Sequence, residues 1–428
     1  LPKRTVSDRE RQALEKAAAY LPGGGNGNTV TMDMVIRGGR GPRVWDLSGN
    51  EYIDYALGSG PMLIGHANPE VVAAVSEQLS QGTTYFGLNE HAILLAEEIV
   101  KAVPCAEKVR FASSGTEATF FAMRAVRAYR GRDKILKFEG GFHGMNDYGL
   151  MSMAPSKPLD YPAPAPDSSG IPESLQGDVL VAPFNDIETT TAIIERYHEE
   201  LAGVIVEPLQ RVIPPAPGFL EGLREVTSRF HVPLIFDEIV TGFRFAYGGA
   251  QELYGVTPDM CTLGKAVAGG FPLSAVAGSA DIMEHFAPSD PGAPYVMQEG
   301  TLNGNPIASV AGLATLKVLR REGTYERLFA TGNRLKEALT RLLYEAEIPA
   351  QVVGEAPMFD VIFTDHEITN YRSTLDRDQP KVMRLNELLR ERGIFKAHGK
   401  YYVSTTHGDV EVEQTISAWK SALEALDV

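Results

Sequence analysis

Cysteine is nearly absent: Cys105 and Cys261 are the only two in 428 residues. Two thiols cannot make a disulfide framework in a chain this size, so a reducing compartment, the cytoplasm, is the expected location. No cysteine–histidine cluster has zinc spacing, and no metal site is expected. Long apolar runs are missing too, and none reaches the roughly 20 residues of a bilayer-crossing helix. The opening Leu1-Pro2-Lys3-Arg4 leads into a charged segment without the apolar core of a signal peptide. An opening at Leu1 rather than Met suggests a trimmed N-terminus. Positive charge is the minority: 40 Lys and Arg against 55 Asp and Glu leave a formal charge of −15. That balance argues against nucleic acid or an anionic membrane surface as a partner. What remains is globular in character, 44% hydrophobic and 22% charged, with enough apolar residues for a large core. The length exceeds one typical domain, so a large domain with at least one smaller one is expected.

Ser7 followed by Glu10 has the pattern of a capping box opening a helix over 8–19, which the glycine-rich stretch 22–27 ends as a loop. Residues 43–46 and 52–55 read as two short strands joined at Ser48-Gly49-Asn50. Between Leu94 and Leu263 short apolar, β-branched segments alternate with helical patterns. The candidate strands are 109–112, 134–138, 179–181, 203–206 and 233–236, with 274–277 completing the set; 91–102 and 187–200 carry helical periodicity. Such strands, buried on both faces, predict an α/β fold with a mostly parallel, doubly wound sheet. Residues 151–176 hold six prolines and read as a long surface loop, either a lid or a solvated insertion. A helix over 306–320 follows, then a C-terminal unit. That unit has strands near 359–363 and 401–404 and a last helix with Val412, Ile416, Trp419 and Leu423 on one face.

Four segments carry chemistry. In Phe111-Ala112-Ser113-Ser114-Gly115-Thr116-Glu117 a strand ends and a helix begins, with Ser114 and Glu117 spaced as a capping box. Free N–H groups at such a start suit a phosphate, although the same pattern also serves merely as a cap. Gly140-Gly141-Phe142-His143-Gly144 places an aromatic between glycines, able to lie on a planar ring or simply to fill core. Ile235-Phe236-Asp237-Glu238 ends a buried strand in two acids. A carboxylate there can pair with a protonated ring nitrogen, or the pair can anchor an arginine such as Arg244. Thr262-Leu263-Gly264-Lys265-Ala266 sets a lysine among small residues, where burial favours the neutral, nucleophilic amine.

Together with the stretches 58–66, 237–251, 262–270 and 300–306, these segments resemble the class III aminotransferases, of the type I pyridoxal-phosphate (PLP) enzyme fold. The likeness runs from Leu21 to the final helix and is strongest toward the glutamate-1-semialdehyde aminomutase branch. It implies that Lys265 carries PLP as a Schiff base and shuttles the proton. Asp237 would hold the ring N–H with Glu207 nearby, Phe142 and Ile239 would cover the two ring faces, and Ser114, Gly115 and Thr116 would bind the phosphate. His143 matches the motif. Thr301 would reach the phosphate of a neighbouring subunit's cofactor, implying a homodimer with active sites at the interface. The division implied is an N-terminal segment 1–57 belonging to a small domain, a large PLP-binding domain 58–305 and a C-terminal small domain 306–428.

The sequence departs from the aminomutase pattern where substrate is bound. An arginine expected shortly after the Pro-Gly loop is missing: the stretch reads Asn26-Gly27-Asn28-Thr29-Val30, and the first arginine is Arg37. Leu209-Gln210-Arg211 follows Glu207-Pro208 where an asparagine is expected, and Val240 replaces a methionine or glutamine. The expectation is therefore an aminotransferase passing an amino group from an amine or amino acid to a keto acid, ketone or aldehyde. The alternatives are an aminomutase or racemase, a decarboxylase, or a non-catalytic PLP-binding protein. Substrate contacts are expected at Ser59, Tyr85 and Arg211. Arg211 either grips a carboxylate or serves as a structural ion-pair partner. His398 and Lys400 are further candidates. Tyr85 and Phe86 line a pocket or, by default, pack in the core.

Overall fold

A computed structural model describes residues 4–27, 33–396 and 399–426. Its strands in chain order are β1 (Ile36–Arg40), β2 (Arg43–Asp46), β3 (Glu51–Asp54), β4 (Lys108–Ala112), β5 (Lys134–Phe138), β6 (Val179–Ala182) and β7 (Leu201–Val206). Then follow β8 (Leu234–Glu238), β9 (Met260–Leu263), β10 (Ser274–Gly278), β11 (Gln351–Glu355), β12 (Met358–Ile362), β13 (Ile394–Phe395) and β14 (Tyr401–Tyr402).

Seven of these form the central sheet, in the order β4-β10-β9-β8-β7-β5-β6. Strands β6 to β10 are buried along their whole length, as their unbroken apolar sequences require for a sheet covered on both faces. The pairs from β6 through β9 run parallel, while β10 is antiparallel to both its neighbours, β4 and β9. All six strands expected in this region lie in this one sheet. The seventh, β9, has four residues, too few for a pattern to separate it from the turn that follows.

Small residues let helices close on the sheet. The helix Gly115–Arg130 buries Ala118, Ala122, Ala125 and Val126, and Val126 comes so near Gly203 that a Cβ there would meet it at 2.9 Å. A second sheet, β1-β2-β3-β13, pairs residues 53–54 in parallel with 394–395, and a third has the order β11-β12-β14. The helix Asp409–Glu424 packs against the helices Thr324–Glu345 and Gln379–Glu391, with Val412, Trp419 and Leu423 buried and Ile416 partly buried. Trp419 Nε1 donates to Tyr401 Oη at 2.9 Å. Among the described residues no helix is long and apolar enough to cross a membrane.

Two local expectations change. Ser7 caps its helix by accepting from the Glu10 N–H, but Glu10 does not return the bond. Its buried carboxylate accepts from the Val35 N–H at 2.8 Å and from Ser48 Oγ, because chain packed above it offers donors that water would otherwise supply. Residues 151–176 are stitched to the body rather than free. Gly140 N donates to Ser152 O at 2.9 Å, Tyr161 Oη to Glu139 at 2.8 Å, and Tyr371 Oη to Pro155 O at 3.0 Å.

In the helix Thr324–Glu345 a Cβ on Gly332 would collide with the carbonyl oxygen of Ala356. Alanine there gains about 1 kcal/mol of helix propensity. The clash is with backbone, which no rotamer relieves, and overpacking costs about 1–3 kcal/mol. Gly332→Ala should therefore lower the denaturant midpoint with little change in slope; an unchanged or raised midpoint would show that the two segments are not in contact.

Candidate active site

Strand β8 carries its apolar run into two acids, and strand alternation sends them to opposite faces. Glu238 turns inward, fully buried. It accepts from Thr241 Oγ1 at 3.0 Å, the Ala250 N–H at 2.6 Å and Gln251 Nε2 at 3.0 Å, and burial pushes its pKa up. Asp237 faces a cavity of about 320 Å³ lined also by Gly115, Thr116, Phe142, Glu207, Ile239 and Lys265. That volume falls in the range of small-molecule sites, roughly 300–1,000 Å³.

The parallel register of β8 and β9 sets Thr262 beside Asp237, and its hydroxyl donates to Asp237 Oδ1 at 2.9 Å. The Ile239 N–H reaches the same oxygen at 3.2 Å. His143 Nδ1 lies 2.7 Å from Asp237 Oδ2. Asp237 is 4% exposed, and its only basic partner among the described residues is this imidazole. A buried carboxylate with no lysine or arginine paired to it among the described residues can accept from a ring N–H.

The other parts converge from neighbouring strand ends. After β5 the chain turns through Gly140 to Gly144, and the Phe142 N–H donates to Glu207 Oε2 at 2.8 Å. Gly144 (φ +83°) packs on Thr116, whose Cα a Cβ would meet at 2.6 Å. Glycine is required on both counts. The capping box is complete: Ser114 Oγ accepts from the Glu117 N–H, and Glu117 accepts from the N–H groups of Ser113 and Ser114 at 2.9 and 2.8 Å. The first helical N–H groups, of Gly115 and Thr116, have no intrahelical acceptor and border the cavity. This donor set suits a phosphate.

Lys265 follows β9 in a short 3₁₀ turn with φ +47°, a conformation L-residues adopt at a cost. Nζ donates to Ser59 O at 2.9 Å, and Ser59 and Arg211 also have positive φ. Burial lowers the lysine pKa; nearby Lys400 and Arg244 push the same way, and Tyr402 and Asp237 oppose. An amine, a carboxylate, an aromatic and an aliphatic side chain, and helix N–H groups on one cavity fit pyridoxal phosphate.

Other candidates are placed differently. Arg244 is not anchored by Asp237 or Glu238. Its fully buried guanidinium donates to Val240 O at 2.9 Å and to Gly60 O, and lies 4.9 Å from the Tyr402 ring. Burial brings its pKa down to about 10. Arg211 is no ion-pair partner: among the described residues no carboxylate lies within 4.0 Å. It donates to Gly140 O at 2.9 Å and Met153 O at 3.4 Å, and stands 5.0 Å from the Phe142 ring.

Tyr85 and Phe86 are not core. They are 51% and 77% exposed, because the turn after the helix Pro69–Leu79 carries them outward. Neither they nor the exposed Thr301 line the cavity of this chain. Residues 28–30 and His398 lie outside the described residues.

Two participants escaped sequence reasoning. Thr262 is identified only by register. Lys137, fully buried in β5, donates to Gly141 O at 3.2 Å, Gly149 O at 2.8 Å and Met151 O, bracing the loop that carries Phe142 and His143. Its signal was a charge inside an apolar strand.

The lowered lysine pKa has a measurable consequence. Uptake of pyridoxal phosphate by cofactor-free protein, followed by absorbance, should rise with pH with a midpoint below the ordinary lysine value of 10.5. Lys265→Ala should abolish the band. A midpoint near 10.5 would mean an unperturbed amine.

Comparison with known proteins agrees with this geometry. The family model described as aminotransferase class-III matches residues 25–407. A glutamate-1-semialdehyde 2,1-aminomutase of Desulfitobacterium hafniense (strain Y51) is 40% identical over 98% of each chain. An omega-transaminase from Sphaerobacter thermophilus superposes with a TM-score of 0.93 at 37% identity, covering 97% of each chain. A transaminase with PLP bound gives 0.91 at 30% identity over 99% of each. The chain thus belongs to the class III aminotransferase family, and its cofactor is pyridoxal phosphate.

Proposed function

We propose that this protein is a transaminase, moving an amino group from an amine or amino acid to a separate carbonyl acceptor. The observation that carries this reading is a departure within an otherwise complete lysine–aspartate–aromatic set. The arginine that the resemblance leads one to expect after the Pro-Gly loop is missing before Arg37, and Leu209-Gln210-Arg211 stands where an asparagine is expected. The likeness to the Sphaerobacter omega-transaminase supports it. A second reading, aminomutation within one molecule, is favoured by the curated relatives, such as the 40%-identical aminomutase.

Bound pyridoxal phosphate supplies the electron sink that makes a C–H bond next to nitrogen acidic. The chain's own groups do the rest. Lys265 Nζ, uncharged at a lower pH than a solvated lysine, takes the substrate proton and returns it. The Ser59 carbonyl keeps that amine in place between proton transfers. Asp237 holds the ring N–H, steadied by Thr262, His143 and the Ile239 N–H. Phe142, fixed through its N–H to Glu207, and Ile239 cover the ring, and Gly115 and Thr116 hold the phosphate.

The test is the visible spectrum of the purified protein with amines and amino acids but no acceptor. A cofactor band converted by one donor and restored by a keto acid or aldehyde is expected. Isomerisation of glutamate 1-semialdehyde with no acceptor present would instead establish the aminomutase reading.

The reading includes a homodimer. Tyr85, Phe86 and the 91%-exposed Leu88 form an apolar surface. Asn89 Nδ2, donating to Gly304 O at 2.8 Å, ties this surface to the loop of Thr301. A second copy covering it brings Thr301 toward the partner's phosphate. Phe86→Glu with Leu88→Glu should shift the sedimenting species from twice the chain mass to one; an unshifted dimer would place the interface elsewhere.

A further inference from the structure

We infer that Arg244 is a positioning residue for Lys265: it clamps a left-handed turn, Leu57 to Gly60, so that the Ser59 carbonyl holds the reacting amine. This role rests on Lys265 being the amine that meets the cofactor, and it is the same for transamination and aminomutation.

The turn is unusual in its hand. Leu57, Gly58, Ser59 and Gly60 follow one another at φ +46°, +66°, +68° and +105°. Backbone bonds close it: the Ser59 N–H donates to Ala56 O at 2.8 Å and the Gly60 N–H to Leu57 O at 3.0 Å. Glycine enters this region freely, but leucine and serine do so at a cost. Such a cost persists only where the surroundings hold the conformation. Asp54 holds the start, its Oδ1 accepting from the Ala56 and Leu57 N–H groups at 2.7 and 2.9 Å. The turn delivers one carbonyl to the cavity's lysine, that of Ser59, 2.9 Å from Lys265 Nζ. An amine that donates to a fixed carbonyl has fewer directions open to its lone pair, and correct orientation speeds its reactions.

Arg244 holds the other end. Its Nη2 donates to Gly60 O and its Nε to Val240 O at 2.9 Å. Gly60 belongs to the left-handed turn, and Val240 to the turn after β8. Both turns line the cavity, Gly58 and Pro61 from one and Ile239 and Val240 from the other. One planar guanidinium thus ties two walls of the site together. It is fully buried, and its Nη1 has no partner among the described residues. A buried charge so poorly balanced is costly. An apolar side chain would fill the space without that cost, but it could hold neither carbonyl. The fit leaves no slack: a Cβ on Gly60 would meet the Tyr402 ring at 2.9 Å and Arg244 Nη2 at 3.0 Å.

The test is capture of pyridoxal phosphate by cofactor-free protein, in which the Lys265 amine condenses with the cofactor aldehyde and releases water. The rate is read across pH from growth of the absorbance band. Pyridoxamine phosphate, which carries an amine in place of the aldehyde and cannot condense, reports binding to the cavity alone. The other groups bearing on Lys265 are Tyr402, Lys400 and Asp237, and every variant retains them.

Arg244→Met should lower the rate plateau reached at high pH about tenfold, the scale of one lost hydrogen bond to a charged group. It should also raise the midpoint, because the guanidinium holds the lysine pKa down. Gly60→Ala should lower the plateau while leaving the midpoint in place, since it displaces the clamp and keeps the charge. Arg244→Lys, with a charge and a donor retained, should recover most of the plateau. Pyridoxamine phosphate affinity should stay near wild type throughout. A wild-type plateau in either Arg244→Met or Gly60→Ala overturns the clamp; a moved midpoint alone would leave Arg244 only its charge. Affinity for pyridoxamine phosphate falling as far as the rate overturns it too, by making the arginine a support of the whole cavity. If Arg244→Met does not fold, Gly60→Ala decides. If the wild-type protein grows no band, the reading of Lys265 itself fails and the clamp with it.

Discussion

Asp237 sets the terms for everything around it. A carboxylate at the end of a fully buried strand is costly to bury, and the usual remedy, a lysine or arginine, would cancel the charge needed for a ring nitrogen. The structure instead surrounds it with Thr262 Oγ1, the Ile239 N–H and His143. Each comes from a different element, so the position of the carboxylate depends on the β8–β9 register, the turn after β8 and the loop after β5. The neighbouring acid shows the contrast. Glu238 has four donors around it and no path to the cavity, and it anchors the helix Ala250–Tyr254 rather than taking part in chemistry.

The loop that supplies His143 needs a support of its own. Residues 141–151 offer carbonyls inward, and a buried carbonyl without a donor is costly. Lys137 meets three of them with one side chain, matching the three N–H bonds of an ammonium. Burial pulls its pKa to about 7, with Arg211 adding to the shift, while the three acceptors favour the charged form. The same loop touches Thr116 through Gly144 and Tyr371 through Gly140. The lining of the cavity, the irregular segment 151–166 and the C-terminal part of the chain therefore meet on one short stretch of backbone.

The parts legible in the sequence are those written locally. Apolar strands ending in Asp237 or followed by Lys265, the Ser114–Glu117 box and the glycines around Phe142 each carry their signal within a few residues, and the structure brings them onto one cavity. What depends on tertiary register was hidden. Thr262 becomes a partner of Asp237 only once β8 and β9 lie side by side, and β10 reverses direction without any mark in its own sequence. Glu10 and Ser7 satisfied a local pattern, yet Ser48 and Val35, far along the chain, took the glutamate. Tyr85 and Phe86 misled for the converse reason. Apolar residues read as core when burial comes from one chain alone, and here that chain leaves them exposed.

The overall acidity of the chain, −15, contrasts with its active cavity. Lys400 and Arg244 bear electrostatically on Lys265 against Asp237, while Glu207 is held by the Phe142 N–H. Both acids are engaged in holding the site together, so its uncommitted charge is positive. Transamination and aminomutation both need a proton moved beside the substrate nitrogen, a task for which Lys265 and Asp237 serve either reading equally. Reaction choice must then lie in side chains that fix the rest of the substrate, because they decide whether a product carbonyl leaves or is held for a second turn. In this chain the departures from the aminomutase pattern fall at 26–37 and 209–211. The second of these segments is tied to the site by Arg211, which donates to the Gly140 carbonyl and stands over the Phe142 ring, so a substitution there acts on the same loop that carries His143 to Asp237.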